Sequence, residues 1–323
     1  MRVFVAGATG AIGRQLVPQL VQAGHDVVGS TRTAGKAGWL LDAGAEAAVM
    51  DPLDDRQVLD AVTRARPDAV VHELTALAGV TDLRRFDRAF AATNVLRTRG
   101  TDNLLAAARA AGAGRFVAQS YTGWPNAREG DPVKSEDDPL DPDPPRSMRA
   151  SLAAIRYLEG AVGDADGIEG LVLRYGSLYG PGTAMAEEYP ALIRRRRLPL
   201  VGGGTGVWSF VHVADAAAAT VAALEDGRPG VFNIVDDDPA PVSEWLPHLA
   251  AVLGARPPRH VPAWVARPAI GAAGVSMMTR IRGASNVKAR RELDWQPRYP
   301  SWRTGFPDGA PLAVRPQPAG ARV

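Results

Sequence analysis

Hydrophobic and polar positions alternate along the first 175 residues in a way that predicts strands and helices in turn. Short apolar runs are separated by stretches in which apolar residues recur every three or four positions. This alternation is typical of repeated βαβ units, and it predicts an α/β fold with a doubly wound parallel sheet. The predicted strands are residues 2–6, 26–30, 46–50, 69–72, 115–119 and 170–175.

Glycines follow the first predicted strand immediately, before a segment from Ile12 to Val21 with helical spacing. Glycine at a strand-to-helix turn allows tight dihedral angles and close approach of the backbone to a ligand. The N–H groups and the positive dipole end of the following helix can then hold a pyrophosphate. The segment therefore predicts a dinucleotide cradle formed by Gly7, Thr9, Gly10, Ala11, Ile12 and Gly13.

The alternating pattern is interrupted in two places. Residues 123–145 are rich in proline, glycine and acidic residues, which predicts a long surface loop, and such loops are usually functional or mobile. After Tyr175 the elements become short and rich in proline and tryptophan. We therefore predict a dinucleotide-binding domain over 1–174, completed by 209–234, a smaller interleaved C-terminal substrate lobe (175–208 and 235–310), and a tail at 311–323, along the surface or disordered.

Composition narrows the class of protein. The 323 residues include no cysteine, which excludes disulfides, thiolate nucleophiles and cysteine-ligated zinc, and we predict no metal site. The net charge of +2 is too small to predict nucleic-acid binding.

The apolar stretch from Pro268 to Thr279 is shorter than the roughly 20 residues of a membrane span, so it predicts a buried helix. A strand that begins next to Met1 leaves no room for a signal peptide, which predicts a cytoplasmic protein.

One cluster of charge, Arg194 to Arg197, has two open interpretations. It can be the solvated end of a helix, where cations favour the helix dipole, or a clamp for a substrate phosphate or carboxylate. The predicted partners are a small-molecule substrate and a second copy of the chain in a homodimer, with no nucleic acid and no membrane.

The spacing G-x-x-G-x-x-G resembles that of the extended and atypical short-chain dehydrogenases/reductases, the superfamily of sugar epimerases and dehydratases. Later segments recur in that family's order and span most of the chain. The resemblance implies a Rossmann sheet, a nicotinamide cofactor and an enzyme acting on a small molecule. The segments are DPLDD from Asp51, AVVHELTA from Ala69, GTDNLLAAARAAGAGRFVAQS from Gly100, LRYGSLYGPG from Leu173 and FVHVADAA from Phe210.

Cofactor preference is decided at the end of the second predicted strand, where an acidic residue favours NAD and an arginine favours NADP. Ser30, Thr31 and Arg32 stand there without a carboxylate, which predicts NADP(H) in preference to NAD(H). The alternative is that Arg32 covers the adenine, a role that also tolerates NAD. The resemblance places further cofactor contacts at Thr31, Arg32, Asp51, Leu53, Leu74, Thr75, Gln119 and Tyr175.

The catalytic helix departs from the family pattern. Family members carry Tyr-x-x-x-Lys, in which the lysine lowers the tyrosine pKa from about 10 toward neutrality. Counted back from Glu159, the two positions hold Ser151 and Ile155. Tyr157 is no substitute, because two residues are about 200° around a helix, and we interpret it as a core residue.

Hydroxyl side chains after the fifth predicted strand are the remaining acid/base candidates. Tyr121 aligns with the family's active hydroxyl, and its phenol can donate a proton with Ser151 as a helix partner. The alternative is that the ring only fills the space left by the missing tyrosine. The candidate catalytic residues are Tyr121, Ser120, Thr122 and Ser151.

Two functions therefore remain open. The first is an NADP-dependent oxidoreductase, or a related epimerase/dehydratase-type enzyme, acting on a small polar or polyketide-like molecule with unusual acid/base residues. The alternative is a dinucleotide-binding protein without hydride transfer, either a redox-sensing regulator or a non-redox enzyme such as a cyclase. The missing Tyr/Lys pair keeps the alternative open.

Overall fold

A seven-stranded parallel sheet forms the centre of the protein, for which the computed structural model describes residues 1–77 and 83–309. The strand order is β7-β6-β5-β4-β1-β2-β3, and every neighbouring pair is parallel. All six predicted strands are present, which confirms the doubly wound α/β fold. The strands are β1 (Arg2–Ala6), β2 (Asp26–Thr31), β3 (Glu46–Val49), β4 (Ala69–His72), β5 (Arg115–Tyr121), β6 (Glu169–Tyr175) and β7 (Gly230–Ile234).

Helices cover both faces of this sheet and build the C-terminal lobe. They include α1 (Gly13–Gln22), α2 (Ala37–Asp42), α3 (Asp55–Ala65), α4 (Thr101–Ala111), α5 (Arg149–Gly163), α6 (Val213–Glu225), α7 (Val242–Val252), α8 (Ala263–Thr279) and α9 (Trp302–Gly309). Short α-helices span Phe86–Ala89, Ala91–Val95, Ala184–Glu187, Tyr189–Arg194 and Val287–Glu292. A π-helix spans Leu96–Gly100, and 3-10 turns span Ala34–Lys36, Leu83–Arg85 and Arg146–Met148.

The alternation of side chains along β1 shows how the two faces are made. Val3 and Val5 point into one apolar cluster, where α1 and α6 pack together, whereas Phe4 and Ala6 point into the opposite one, formed with α3 and α4. All four side chains are fully buried. This is the period-two pattern of a strand that is covered on both sides, and it explains why the strand sequences are continuously apolar.

A third apolar cluster, rich in aromatic rings, forms the core of the lobe after β6. Phe210 packs edge-on against Trp245 and Phe306 and is stacked with Trp208. Short strand pairs frame it: Ser177–Tyr179 with Phe210–His212, Leu200–Val201 with His260–Val261, and Val207–Trp208 with Ala240–Pro241. The lobe boundaries remain a prediction, and the tail predicted at 311–323 lies outside the described residues.

The apolar stretch that resembles a membrane segment belongs to α8, which is kinked. Gly271 interrupts the helix with φ +71° and ψ 179°, and a Cβ there would lie 2.8 Å from the Cα of Arg84. Met278, Ala273 and Ala266 pack into the aromatic cluster of the lobe. No helix in the described part of the chain is long and apolar enough to cross a membrane.

The loop over residues 123–145 is attached to the rest of the protein at several points. Its segment Val133–Lys134 pairs in parallel with Gly283–Ala284. An isolated bridge joins Asn126 to Leu140 within the loop. In addition, the backbone N–H of Asn233 in β7 donates to Oε1 of Glu136 at 2.6 Å. The loop is therefore connected both to the lobe and to the outermost strand of the sheet.

Candidate functional site

The glycine turn after β1 fits a dinucleotide pyrophosphate. Gly7 has φ +94°, and a Cβ there would lie 2.6 Å from the carbonyl oxygen of Glu73. A Cβ on Gly13 would lie 2.5 Å from the carbonyl group of Ala8. By contrast, a Cβ on Gly10 would meet only the carbonyl oxygen of Gly7, at 3.2 Å. Close packing thus requires glycine at positions 7 and 13, whereas Gly10 leaves open space above the start of α1.

The start of α1 offers backbone donors to an anion. Ile12 caps the helix without a side-chain hydrogen bond, and the first turn carries no acidic residue. The turn itself is held by a hydrogen bond from Gly10 N to Gly7 O of 2.9 Å. Thr9 and Ala11 are half-buried and Gly10 is exposed, so the helix N-terminus faces solvent. Backbone N–H groups and the helix dipole favour a phosphate at such a position.

Basic side chains lie on the segments that follow β2 and the glycine turn. Arg32 and Lys36 are exposed, and the guanidinium of Arg14 lies over the ring of Trp39 at 5.0 Å. Thr31 is buried, with its Oγ1 hydrogen-bonded to the backbone of Thr33. No carboxylate occurs between Ser30 and Gly38. This region can therefore attract the negative charge of a nucleotide phosphate.

The ends of β3 and β4 place the other predicted cofactor contacts beside the cradle. Asp51 is exposed, and its Oδ1 accepts the backbone N–H of Leu53 at 3.0 Å. After β4, Leu74 and Thr75 are half-buried, and the N–H of Leu74 donates to Nδ1 of His72 at 3.2 Å. Burial lowers the pKa of His72 to about 4, so its imidazole is neutral. Gln119, in β5, is also half-buried. Contact of these residues with a cofactor remains a prediction.

Tyr175 occupies a different environment from these residues. Its side chain is buried beneath the glycine turn, where its hydroxyl lies 3.0 Å from Oε1 of Glu73 and 2.6 Å from Oγ1 of Thr220. Burial raises the pKa of Glu73 to about 8. The Tyr175 hydroxyl is thus fully engaged inside the protein, and this side chain supports the cradle from below.

Three of the four predicted catalytic hydroxyls hold parts of the scaffold together. Ser120 Oγ donates to Oε1 of Glu159 at 2.7 Å. Glu159 in turn accepts two hydrogen bonds from Arg174, at 2.8 and 2.7 Å, in a buried ion pair. Thr122 Oγ1 accepts from the side-chain amide of Asn126 at 3.1 Å. Both hydroxyls are buried and stabilise the region around the end of β5.

Ser151 belongs to the N-terminal cap of α5. Its hydroxyl and its backbone N–H both donate to Oδ1 of Asp87, at 2.7 and 2.8 Å, and Ala150 N donates to the other oxygen at 3.1 Å. Asn94 Nδ2 donates to Ser151 Oγ at 3.0 Å. Ser151 is completely buried. A carboxylate from another helix therefore satisfies the free N–H groups of α5, and Ser151 fixes that carboxylate.

Tyr121 differs from the other three because, among residues 1–77 and 83–309, its hydroxyl bonds only to another hydroxyl, Oγ of Ser177, at 3.0 Å. The half-buried ring stacks on Trp124, with centroids 6.3 Å apart. Burial raises the pKa of the Tyr121 phenol, while the hydrogen bond to Ser177 and the charge of Arg97 lower it. The phenol is therefore protonated at neutral pH and stands at the carboxyl end of a central strand.

Three residues near this phenol were not predicted from the sequence. Ser177 lies within LRYGSLYGPG, one of the segments that resemble the family pattern, and this resemblance could have identified it. Arg97 is buried, and its charge acts on the pKa of Tyr121. Tyr189 is a second phenol, whose pKa burial and the neighbouring Tyr121 raise to about 12. Only tertiary structure brings Arg97 and Tyr189 to this point.

The interpretation of Tyr157 as a core residue is wrong. Its side chain is 45% exposed, and its hydroxyl donates to the carboxylate of Asp102 at 2.7 Å. The helical rotation from Ile155, which is completely buried, does turn Tyr157 away from the sheet. The same rotation places the ring beside α4 at the protein surface, because only one side of α5 is covered by the rest of the protein.

Comparisons with known proteins agree with this geometry. The family profile described as "NAD dependent epimerase/dehydratase family" matches residues 3–235. A 3-diazoavenalumate denitrifying reductase from a Streptomyces species is 48% identical over 311 residues, which cover 95% of this chain and 99% of the relative. A 2-alkyl-3-oxoalkanoate reductase from Stenotrophomonas maltophilia is 30% identical over 269 residues, 79% of this chain and 76% of the relative.

Solved structures show the same fold. The human epimerase family protein SDR39U1 with NADPH superposes with a TM-score of 0.75 at 22% identity, covering 96% of this chain and 99% of that one. The matched profile spans the glycine turn, the end of β5 and the strand that carries Ser177. The chain therefore belongs to the NAD dependent epimerase/dehydratase family, within the short-chain dehydrogenases/reductases, and is an enzyme of the oxidoreductase type that binds a nicotinamide dinucleotide.

Proposed function

We propose that the protein is an NADP(H)-dependent reductase of a small polar molecule, with Tyr121 as the proton donor. The observation that carries this proposal is the contrast among the four candidate hydroxyls. Those of Ser120, Thr122 and Ser151 bond to carboxylate or amide side chains that hold the scaffold, whereas the one described hydrogen bond of Tyr121 is to another hydroxyl, that of Ser177 at 3.0 Å. A hydroxyl pair at the carboxyl end of a parallel strand stands where open α/β sheets bind ligands.

The proton transfer follows from the state of the phenol. A bound nicotinamide supplies or accepts a hydride. Tyr121 donates its proton to the substrate oxygen or nitrogen that becomes basic as the substrate is reduced. Burial raises the pKa of Tyr121, so the phenol keeps its proton at neutral pH until the reduced substrate becomes basic enough to take it. The hydrogen bond to Ser177 and the charge of Arg97, which lower this pKa, stand in place of the lysine of the usual pair. Ser177 can orient the phenol and hydrogen-bond it after the transfer.

The charge around the cradle supports NADPH over NADH. Arg32 and Lys36 are exposed immediately after β2, and no carboxylate competes for the ribose hydroxyls. A guanidinium beside the 2′-position can form charge-assisted hydrogen bonds with a phosphate. We therefore propose that Arg32 binds the 2′-phosphate of NADPH.

The named activities of two relatives support reduction rather than epimerisation. Both are reductases, and both of their named substrates, 3-diazoavenalumate and a 2-alkyl-3-oxoalkanoate, are carboxylates. We propose that the substrate is similar in size to these two molecules. Its carbonyl, or another electrophilic group, accepts the hydride.

The test is the oxidation of NADPH by the purified protein, followed by absorbance, over a panel of 3-oxo acids, aryl ketones and diazo-substituted aryl carboxylates. We expect at least one panel member to be reduced, and NADH to support a lower rate at equal concentration. Tight NADPH binding without oxidation of any panel member would contradict the proposal and favour a non-redox enzyme. Equal rates with both cofactors would contradict the assignment of Arg32.

A further inference from the structure

Arg97 is a buried cation that bonds to no partner within the described part of the chain. It lies in the π-helix Leu96–Gly100, and only 5% of its surface is exposed. Its Nη1 atom is buried and has no hydrogen-bond partner. Within residues 1–77 and 83–309, no hydrogen bond or ion pair of its guanidinium is found. Arginine almost never occurs in this state, because an uncompensated buried charge is strongly destabilising.

Neighbouring groups do not neutralise this charge. Glu159 is the acid whose charge acts on Arg97, but its two oxygens already bind Arg174 and Ser120. The imidazole of His72 and the phenol of Tyr121, which also interact electrostatically with Arg97, are neutral at pH 7. Burial lowers the pKa of Arg97 only to about 10, so the guanidinium stays charged. Among the described residues, the positive charge of Arg97 is therefore not balanced by a free carboxylate.

The position of Arg97 points to the substrate rather than to the cofactor phosphates. Its charge acts on His72, the last residue of β4, and on Tyr121, the last residue of β5. The phosphate cradle follows β1, and β4 separates β1 from β5 in the sheet. The guanidinium thus interacts electrostatically with residues at the carboxyl ends of β4 and β5. A π-helical turn is frequently found at such functional positions.

We propose that Arg97 binds an anionic group of the substrate, a carboxylate or an oxyanion of similar size, next to the Tyr121 phenol. The inference rests on the proposed function and deepens it by naming the substrate class. The planar guanidinium can hold a carboxylate through two parallel hydrogen bonds, which would also fix the orientation of the rest of the molecule. Arg97 is thereby a specificity-determining residue that selects acids over neutral analogues.

The test compares benzoate with its neutral isostere benzamide on the full-length protein saturated with NADP⁺. Binding is measured by calorimetry and by quenching of tryptophan fluorescence, since Trp124 stacks on Tyr121. We expect the parent protein to prefer benzoate, and Arg97→Gln to weaken benzoate binding by about 10- to 100-fold while benzamide binding is unchanged. Arg97→Lys keeps the charge but loses the planar guanidinium that can form two parallel hydrogen bonds, so this variant should retain part of the preference for benzoate.

Arg99→Gln is the matched control, because Arg99 lies in the same π-helix and is exposed. This variant should bind benzoate like the parent protein. A parent protein that does not prefer benzoate, or an Arg97→Gln variant that retains the preference, overturns the proposal. An Arg97→Gln variant that loses NADPH affinity instead would assign the guanidinium to a cofactor phosphate, which also overturns it.

Thermal stability separates a binding role from a structural one. Removing an unpaired buried charge should leave the melting temperature of the ligand-free Arg97→Gln protein unchanged or raised. A drop of several degrees would mean that Arg97 supports the fold, which overturns the proposal. Neither measurement needs turnover, so benzoate selectivity without NADPH oxidation would contradict the proposed reductase activity and leave the anion site intact.

Discussion

The hydroxyls of Tyr175 and Thr220 lie 2.6 Å apart, and they connect Glu73 to the backbone of α6 in a buried chain of hydrogen bonds. Tyr175 donates to Oε1 of Glu73 at 3.0 Å. Thr220 can share its hydroxyl proton between Tyr175 and the carbonyl oxygen of Ala216, which lies 2.9 Å away. Burial raises the pKa of Glu73 to about 8, so this carboxyl group beneath the glycine turn holds its proton more tightly than an ordinary one.

Glu73 should make the free energy of unfolding decrease with pH. Its pKa of about 8 in the folded protein exceeds the ordinary value of 4.5, so the folded state binds more protons between these values. Its contribution to stability is complete below about pH 4.5 and is lost as the pH rises to about 8. We expect Glu73→Gln, whose amide oxygen can accept the proton of Tyr175 but which does not titrate, to flatten this slope in urea titrations at several pH values.

Asp236 is the control for that prediction, because burial also raises its pKa to about 8. Asp236→Asn should remove a separate part of the slope, so that the double variant is flatter than either single one. An unchanged slope in Glu73→Gln would show that Glu73 is ionised in the folded protein.

Tyr121→Phe should lower turnover by about 10² to 10⁴ with little change in NADPH affinity, because it removes the proton donor and leaves the cradle intact. Steady-state rates and a cofactor titration check both parts. Tyr157→Phe is the matched control, since it removes an exposed hydroxyl from the neighbouring helix. Ser120→Ala should affect turnover less, through the ion pair of Glu159 that it supports. Near-normal turnover in Tyr121→Phe would assign the proton to another group.

Arg32→Asp should narrow or reverse the preference for NADPH over NADH. The substitution removes a charge-assisted contact worth on the order of 1.5–3 kcal/mol and adds repulsion to the 2′-phosphate. Calorimetric titration with both cofactors measures the ratio of their dissociation constants. Arg64→Asp, an equal change of charge at the exposed end of α3, should leave that ratio unaltered. Equal affinities in the parent protein would refute the assignment.

Gly10→Val and Gly13→Ala should separate binding from folding. A Cβ at Gly10 meets only one backbone oxygen, at 3.2 Å, so the valine variant should fold while its side chain blocks the pyrophosphate. A Cβ at Gly13 would lie 2.5 Å from the backbone of Ala8, so even alanine should destabilise the protein. Circular dichroism and a cofactor titration distinguish the two. Tight NADPH binding by Gly10→Val would place the nucleotide elsewhere.

The fold and the cofactor cradle could be predicted because their signals are local. The strand runs and the spacing of Gly7, Gly10 and Gly13 each occupy a few consecutive residues, and the sheet follows from their order. The kinked α8 could be predicted only in part. Its apolar residues indicated a buried helix, but they did not indicate the break at Gly271, where the chain lies close to the backbone of Arg84.

The catalytic hydroxyls could not be ranked from the sequence because their partners are distant. Ser120 bonds a residue 39 positions away, and Ser151 bonds one that is 64 positions away. Because the sequence does not show these partners, it cannot distinguish the hydroxyls of Ser120 and Ser151 from that of Tyr121. The isolation of Arg97 is equally invisible there, because it depends on Glu159 being occupied by two other side chains.

The attachment of the 123–145 loop has a consequence for how the protein loses its structure. Val133–Lys134 pairs with a strand of the lobe, and Glu136 accepts from the backbone of β7, so this loop crosslinks the lobe to the edge of the sheet. Unfolding of the lobe or of the sheet therefore also breaks contacts in the other. We therefore expect calorimetry to record one cooperative transition, and proteases to cut this segment only as fast as the whole molecule opens.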